Sequence, residues 1–419
     1  MNSIERIVLA FSGGLDTVFA IPWLRETYGA EVVALTLDLG QGRELEAVRD
    51  RALAAGAARA HVLDAREEFA RDFVLPSLSA GAVGEDGSPM PAALARPLVA
   101  RKLVELAGLE RAAAVAHGAG ADRPIAPAGL PVAADPLDPA ARLHLAIRAL
   151  SPGLTVLAPA RDAGLTAAAK AKYVRERGLY APAPDAARTD ANLWGRSLQG
   201  LAPDPAAPLP HGFFIQTRPP EECPGEAADV RISFAQGVPV AINGVTMPLV
   251  DLIASLATIA AAHGVGRIDG VEHGPGGRTR VICEAPAAVV LHTARRWLQQ
   301  VTLPPDLDRF LQLAALEYAA LVREGRWFTP VREALDALVG RARTPVAGTV
   351  RLQLLKGGCR VLDSSPAQPP ASGASREGIA AATAAATSRA AAEAAATSPH
   401  DDREAGEGRS QRRRLVTSR

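Results

Sequence analysis

Aromatic side chains are scarce in this chain, at 4% of 419 residues, so its cores are expected to pack mainly from Ala, Val and Leu within an apolar content of 48%. Cysteine is scarcer still. Cys223, Cys283 and Cys359 are odd in number and form no Cys-x-x-Cys pair, which argues against a disulfide framework or a structural zinc and fits a reducing cytoplasm. Charge of one sign is also missing: 46 Lys and Arg against 45 Asp and Glu leave a formal +1, so no global field favours nucleic acid or a membrane surface. No hydrophobic run approaches the ~18 residues of a membrane span. Met1 to Arg6 lack the basic start and apolar run of a signal peptide. The expectation is a soluble cytoplasmic protein without nucleic-acid or membrane partners, long enough for two domains and a tail.

What the sequence does hold is concentrated in Ala10-Phe11-Ser12-Gly13-Gly14-Leu15-Asp16-Thr17. The stretch follows the apolar run Ile7 to Ala10, which reads as a buried parallel strand. It precedes Val18 to Tyr28, where Phe19, Trp23 and Leu24 recur at helical spacing. In such a strand-loop-helix turn, adjacent glycines let backbone approach a ligand, and the first amides of the helix point at an anion. Ser12 and Thr17 add hydroxyls. Ser-Gly-Gly alone reads equally as an ordinary tight turn; its place after the first strand, followed by Leu-Asp-Thr, favours phosphate. The loop lacks the Gly-Lys-Ser/Thr ending of a Walker motif, so the mechanics of that motif do not transfer. Pro22 falls inside the helix and is expected to kink it.

Strand and helix then alternate. Glu31 to Thr36 reads as a strand, Leu45 to Ala55 as a helix, Ala60 to Leu63 as a strand, Ala92 to Ala107 as a helix and Ala112 to Ala116 as a strand ending at His117-Gly118. Ala121 to Pro139 is a Pro/Ala/Gly/Asp loop, Arg142 to Leu150 a helix and Thr155 to Pro159 a fifth strand. The pattern predicts an α/β fold with a doubly wound parallel sheet over residues 1–180, whose ligands sit beyond the carboxyl ends of the strands. Pro182 and Pro184 mark a boundary. Residues 181–363 read as a second, α+β domain, with strands at Val230 to Phe234, Val238 to Ile242 and Gly348 to Leu354. Its helices are Leu249 to His263, His292 to Val301 and Arg309 to Glu324. Residues 364–419 are an Ala/Ser/Pro/Glu/Arg tail, expected to be disordered because it holds too little apolar surface to offset ordering entropy.

The loop resembles the pyrophosphate loop of the ATP pyrophosphatase superfamily. Within it, most of residues 5–362 resemble the argininosuccinate synthase family. Carriers of the resemblance include Val8 to Thr17, Thr36-Leu37-Asp38-Leu39-Gly40-Gln41, Leu63 to Phe69, Ala95-Arg96-Pro97-Leu98, Asn192 to Ser197, His263 to Asp269 and Gly325-Arg326-Trp327-Phe328. The resemblance implies an adenine nucleotide alpha hydrolase-like nucleotide domain and an AMP-forming ligase that uses ATP and Mg²⁺. Its ureido substrate, citrulline, is activated as an adenylate with release of pyrophosphate, and aspartate then displaces AMP in a step of arginine biosynthesis. Ala10, Phe11, Ser12, Gly13, Gly14, Leu15, Asp16 and Thr17 are then the nucleotide-binding stretch, with Ser12 and Asp16 the catalytic candidates. Thr36 and Leu37 fall beside adenine and Gly118 falls near the nucleotide. Arg142, Ser197 and Glu272 match substrate-binding positions. No metal ligand is assigned.

The amino-acid pockets depart from the family. Ser88 takes the place of a Tyr, Pro91-Ala92-Ala93 that of Gly-Thr-Ser, Arg188 that of a Ser and Cys283 that of a Tyr. After His117-Gly118 the family's Thr-Gly-Lys-Gly-Asn-Asp becomes Ala119-Gly120-Ala121-Asp122-Arg123-Pro124. Two other readings therefore stay open: a paralogue adenylating a different small acid or amide, and a nucleotide-binding protein without catalysis. The partners implied are small amino-acid substrates and a homo-oligomer. The C-terminal helix by which the family's tetramer embraces its neighbours is replaced by the low-complexity tail.

Overall fold

Residues 4–42, 45–119, 139–181, 188–201, 212–274 and 277–367 are described by the structure, a computed structural model. The expected loop at 121–139 apart from Pro139, the boundary prolines Pro182 and Pro184, and the tail beyond 367 lie outside the described residues. So do the side chains of Arg188 and of residues 199–201, 272–274 and 277–279.

The first strands are apolar on both faces, as a sheet covered by helices on both sides requires. β1 (Arg6–Ala10), β2 (Glu31–Asp38), β3 (Arg59–Asp64), β4 (Ala114–His117) and β5 (Thr155–Leu157) form one parallel sheet in the order β3-β2-β1-β4-β5. α1 (Leu15–Tyr28) and α2 (Leu45–Ala54) follow the first two strands. After β3 come α3 (Arg66–Phe69), a π-helical turn at Ala70–Val74 and α4 (Leu75–Ala80), then α5 (Pro91–Leu109). α6 (Pro139–Leu150) precedes β5, and α7 (Pro159–Asp162) and α8 (Ala167–Glu176) follow it. Alternation along β1 sorts the two layers. Ile7 and Leu9 pack with Val18, Phe19, Ile21 and Leu24 of α1, Val48 of α2 and Val174 of α8. Val8 faces the opposite layer with Leu94 and Leu98 of α5 and Leu143 of α6. Each fully buried Leu or Ile here contributes about 1.5–3 kcal/mol. α1 is assigned without interruption through Pro22, although that residue brings no donor to the helix.

The remainder is built on two antiparallel sheets. β6 (Arg188–Asn192), β7 (Gly195–Leu201), β11 (Arg267–Gly274) and β12 (Gly277–Glu284) make the first, in the order β11-β12-β7-β6. β8 (Ala228–Ala235), β9 (Val238–Ile242), β10 (Val245–Thr246), β13 (Gly348–Leu355) and β14 (Gly358–Pro366) make the second, in the order β10-β9-β8-β13-β14. Both central residues of the Gln236-Gly237, Asn243-Gly244 and Lys356-Gly357 turns have positive φ, the type I′ geometry that matches strand twist. α9 (Leu249–Ala262), α10 (Pro286–Thr302), α11 (Pro305–Arg323) and α12 (Pro330–Ala342) complete the chain. The apolar cluster that begins at Val8 continues through Leu256, Leu291 and Leu298 to Leu352, so one core runs across residue 180. Scarce as they are, the aromatics gather: Phe73 stacks near Trp327 at 5.1 Å, and Tyr318 meets Trp327 edge-on at 6.0 Å.

One buried carboxylate ties this second part together. Glu284, at the end of β12 and fully buried, accepts from Arg196 on β7 at 3.0 Å. It also accepts from the amides of Ile215, Gln216 and Thr217 at 2.8–3.1 Å and from the Thr217 hydroxyl at 2.8 Å. Glu284→Gln would leave the Arg196 guanidinium and several amides without their anion, and one-sided loss of a buried pair costs about 3–5 kcal/mol. The expected outcome is an unfolding free energy lowered by that amount, read as a lower urea midpoint at unchanged m value.

Candidate active site

At the carboxyl end of β1 the chain turns through Phe11-Ser12-Gly13-Gly14 into α1. Gly13 has φ +75°, in the left-handed region, and a Cβ there would lie 3.3 Å from both Val48 and the Arg51 guanidinium. Glycine is therefore demanded by conformation and by space. Gly14, the N-cap, is extended at φ −77°, and a Cβ on it would meet only Ser12 Oγ, at 3.4 Å. The protein leaves that face of Gly14 open.

The backbone groups of the turn divide into anchored and available ones. The Phe11 amide donates to Leu35 O at 2.8 Å, and the buried Thr36 hydroxyl on β2 donates to Phe11 O at 2.8 Å, so β2 fixes the loop's base. Thr17 N and Val18 N both donate to Gly14 O, at 3.1 and 2.9 Å, as does Thr17 Oγ1 at 3.0 Å. Among the described residues the amides of Gly13, Leu15 and Asp16 have no protein acceptor. Those are the groups a helix N-terminus offers an anion. Ser12 Oγ lies 3.4 Å from Thr17 Oγ1 and from the Gly14 amide.

Three neighbours enclose the turn. Gly118, just past β4, approaches so closely that a Cβ on it would be 2.7 Å from Thr17 Cγ2 and 3.3 Å from Asp16 Cβ. From α2, Arg51 reaches to 3.4 Å from Gly13 O, its guanidinium over the Tyr180 ring. From α8, the buried Lys170 donates to Asp16 Oδ1 at 2.8 Å. Behind Gly118, His117 is buried with its Nδ1 accepting from Ala119 N at 3.2 Å and its ring against His144. Burial, helped by neighbouring His144, Arg161 and Arg96, depresses its imidazole to about 3.

A second group of polar side chains gathers between α5 and the β7–β12 pair. Cys283 sits opposite Ser197 in the sheet, with Ser88 close by, and burial pushes its thiol up to about 12. Such a thiol is a neutral filler and no nucleophile. Asp86 accepts from Ser88 N at 3.0 Å, and burial raises its carboxyl. Two links connect this group to the nucleotide side: Asn192 Nδ2 donates to Pro91 O at 2.9 Å, and Leu193 N donates to Leu39 O at 2.7 Å. Arg96 pairs with Asp190 at 2.7 Å.

The predicted residues thus fall into separate places. Ala10 to Thr17, Thr36 and Gly118 converge on one corner, with Leu37 next along β2. Ser197 belongs to the Cys283 group. Arg142 is buried on α6, its backbone against Gly325. Glu272 pairs with Thr279 across β11 and β12, its side chain outside the described residues. Trp194 and Trp327 are both buried. Sequence reasoning missed Arg51 and Lys170, which stand 38 and 154 residues from their loop partners. For Lys170 a signal existed: Lys170, Tyr173 and Arg177 form one helical stripe on an Ala-rich segment.

Comparison with known proteins supplies two domain matches. Residues 6–125 match the arginosuccinate synthase N-terminal HUP domain and residues 188–368 the arginosuccinate synthase C-terminal domain. The chain is 42% identical over 361 residues to the argininosuccinate synthase of Carboxydothermus hydrogenoformans, covering 84% of this chain and 86% of that protein. It is 43% identical to that of Symbiobacterium thermophilum with the same coverage, and 39% identical to that of Brevibacillus brevis over 84% of this chain and 82% of the relative.

His117 gives the site's corner an acid limit. Its folded value lies below the ordinary 6.5, so the unfolded chain binds the extra proton between those pH values. Its contribution is complete above about pH 6.5 and is lost as pH falls toward 3. Between pH 6 and pH 4 the wild type should lose about 2 to 3 kcal/mol more stability than His117→Asn, at about 1.4 kcal/mol per pH unit. Urea titrations of both proteins across that range measure the difference.

Proposed function

The chain belongs to the argininosuccinate synthase family, and from that premise we propose that it is an ATP-dependent carbon-nitrogen ligase joining citrulline to aspartate through a citrullyl-adenylate. The observation that carries the reading is the open corner after β1, where the amides of Gly13, Leu15 and Asp16 at the start of a 14-residue helix lack protein acceptors among the described residues. Backbone donors without protein partners at a helix start suit the outer phosphates of ATP, with helix polarity adding to the attraction. Residues 1–180 then carry the nucleotide, with Thr36 and Leu37 beside adenine and Gly118 closing the floor. Residues 181–363 carry the amino-acid substrates, with Ser197 and Glu272 as contacts and Arg142 added from α6 of the first part. The tail beyond 367 stands apart from catalysis.

In the first step the ureido oxygen of citrulline attacks the α phosphorus. An oxygen–phosphorus bond forms, the bridge between the α and β phosphates breaks, and pyrophosphate leaves with the bonding pair. In the second, the aspartate amine attacks the activated ureido carbon, AMP departs and the amine loses a proton. A ureido oxygen is a weak nucleophile, so the protein contributes alignment and charge stabilisation. Ser12 and Thr17 hydroxyls and the loop amides hold the departing pyrophosphate.

Asp16 is the acid on the first turn of α1, and about a third of its side chain is exposed. That one carboxylate fits Mg²⁺, which keeps to one or two protein carboxylates and takes its other oxygens from substrate phosphates and water. When bound, the ion would neutralise charge developing on the phosphates.

A specific observation also favours a second acceptor. Ser88 and the neutral Cys283 thiol present small neutral groups where the family holds tyrosines, beside Ser197, which matches the family. A different small acid or amide is then the molecule adenylated. ATP–pyrophosphate exchange against a panel of amino acids and ureido compounds tests both readings. Citrulline labelled with ¹⁸O at the ureido position should yield AMP carrying the label. Exchange with another acceptor alone supports the second reading. Nucleotide binding with no exchange for any acceptor would remove catalysis and leave a nucleotide-binding protein.

The open face of Gly14 yields a sharper prediction. Gly14→Ala should fold with unchanged thermal midpoint, because its Cβ meets only Ser12 Oγ. Exchange should nevertheless fall by about 100-fold, since misplacing a phosphate by about 1 Å costs that much.

A further inference from the structure

The corner that binds phosphates in the proposed function holds a carboxylate. Asp16 stands on the first turn of α1, in line with the amides that would receive the outer phosphates. Its charge would repel them. The sequence places no cation within the loop, and the structure brings one from elsewhere: Lys170 Nζ lies 2.8 Å from Asp16 Oδ1, with its side chain 1% exposed against 34% for Asp16.

The position of Lys170 is set by packing. α8 is clamped along α1 by three successive contacts on one helical stripe. Lys170 meets Asp16, the Tyr173 ring meets Phe19 edge-on at 5.0 Å, and Arg177 pairs with Glu26 at 3.0 Å. Tyr173 Oη also donates to Glu26 at 2.7 Å, and the Arg177 guanidinium lies over the Tyr173 ring. Around Lys170 the helix is alanine, at 167, 168, 169 and 171, so the side chain fills the space between the helices. A buried ammonium is expensive to desolvate and is retained only with a close partner. The partner here is a carboxylate whose other face reaches solvent at the phosphate corner.

We propose that Lys170 is a positioning residue of the phosphate site: it pins the Asp16 carboxylate and cancels its charge, so that the start of α1 can accept an anionic nucleotide. The inference rests on the proposed nucleotide site. Lys170 acts through Asp16 and does not touch the phosphates, since its ammonium is buried.

The test is binding of α,β-methylene ATP, followed by calorimetry without Mg²⁺, to wild type, Lys170→Met, Asp16→Asn and the double variant. Lys170→Met exposes the repulsive carboxylate and should weaken binding by about tenfold or more, the size of one uncompensated charge a few ångströms away. The double variant removes the charge that Lys170 answers and should bind within about threefold of wild type, because the coupling resides in that one pair. A purely structural lysine would give no such rescue. Lys170→Gln, which keeps a donor but no charge, carries the same cycle if the methionine variant fails to fold. Unchanged affinity in Lys170→Met, or a double variant as weak as the single one, would overturn the inference while leaving the nucleotide site standing. A wild-type protein that binds no nucleotide would instead remove the proposed site and this inference together.

Discussion

The constraint on which the rest depends is that β1 and β4 are neighbours although the chain visits β2 and β3 between them. From β1 the sheet is wound outward through β2 to β3, and then resumes on the other side with β4 and β5. At such a switch point the connections leave β1 and β4 in opposite directions and open a crevice beyond their carboxyl ends. The Ser12-Gly13-Gly14 turn rises from one side of that crevice, and Gly118 from the other. Their approach is close enough that only glycine fits at 118 against Thr17. Topology thus brings together two segments about a hundred residues apart.

Charge in this protein is handled in two ways. Glu284 is wholly buried and satisfied by an arginine, three amides and a hydroxyl, so it works as a fixed peg between the β7–β12 pair and the segment at 213–217. At the crevice the arrangement is asymmetric. Lys170 is buried and Asp16 only partly so, which leaves the pair anchored on the protein side and open toward solvent. A site that has to bind and release a polyanion cannot use a fully satisfied network, because nothing would remain to interact with the ligand.

What could be read from the chain follows the range of the underlying interaction. Strands buried on both faces announce themselves as continuous apolar runs, so β1, β2 and β4 were legible, and so was the loop that glycine and helix start define. Hairpin β8–β9 was legible from its spacing. β11 and β12 were not, because Gly270, Gly274 and Gly277 interrupt alternation in strands whose registration depends on β7. α10 begins at Pro286, six residues before the helical spacing becomes visible at His292, since proline suits the first turn. β14 runs to Pro366 and includes Ser364 and Ser365 only because β13 supplies its pairing. Composition sees two serines there and reads tail. Arg51 and Lys170 join the site through packing of whole helices, which no local window records.

The acceptor side shows why a family's chemistry can be legible while its substrate is not. The corner after β1, the proposed nucleotide site, is made largely of backbone, so its requirements are conformational and leave glycines at fixed places. On the proposed acceptor side the available groups are side chains: Ser88, Ser197 and Cys283 present two hydroxyls and an un-ionised thiol, with the carboxyl of Asp86 close by. Nearby Arg96 is already paired with Asp190. Among the described residues this group supplies no free positive charge of its own to a carboxylate, so a carboxylated acceptor would need a counter-charge from outside it. A neutral polar head, such as an amide or ureido group, asks for hydrogen bonds alone, which is what this group can give. The polar atoms beside Cys283 would therefore suit the reacting end of the proposed acceptor better than its charged end.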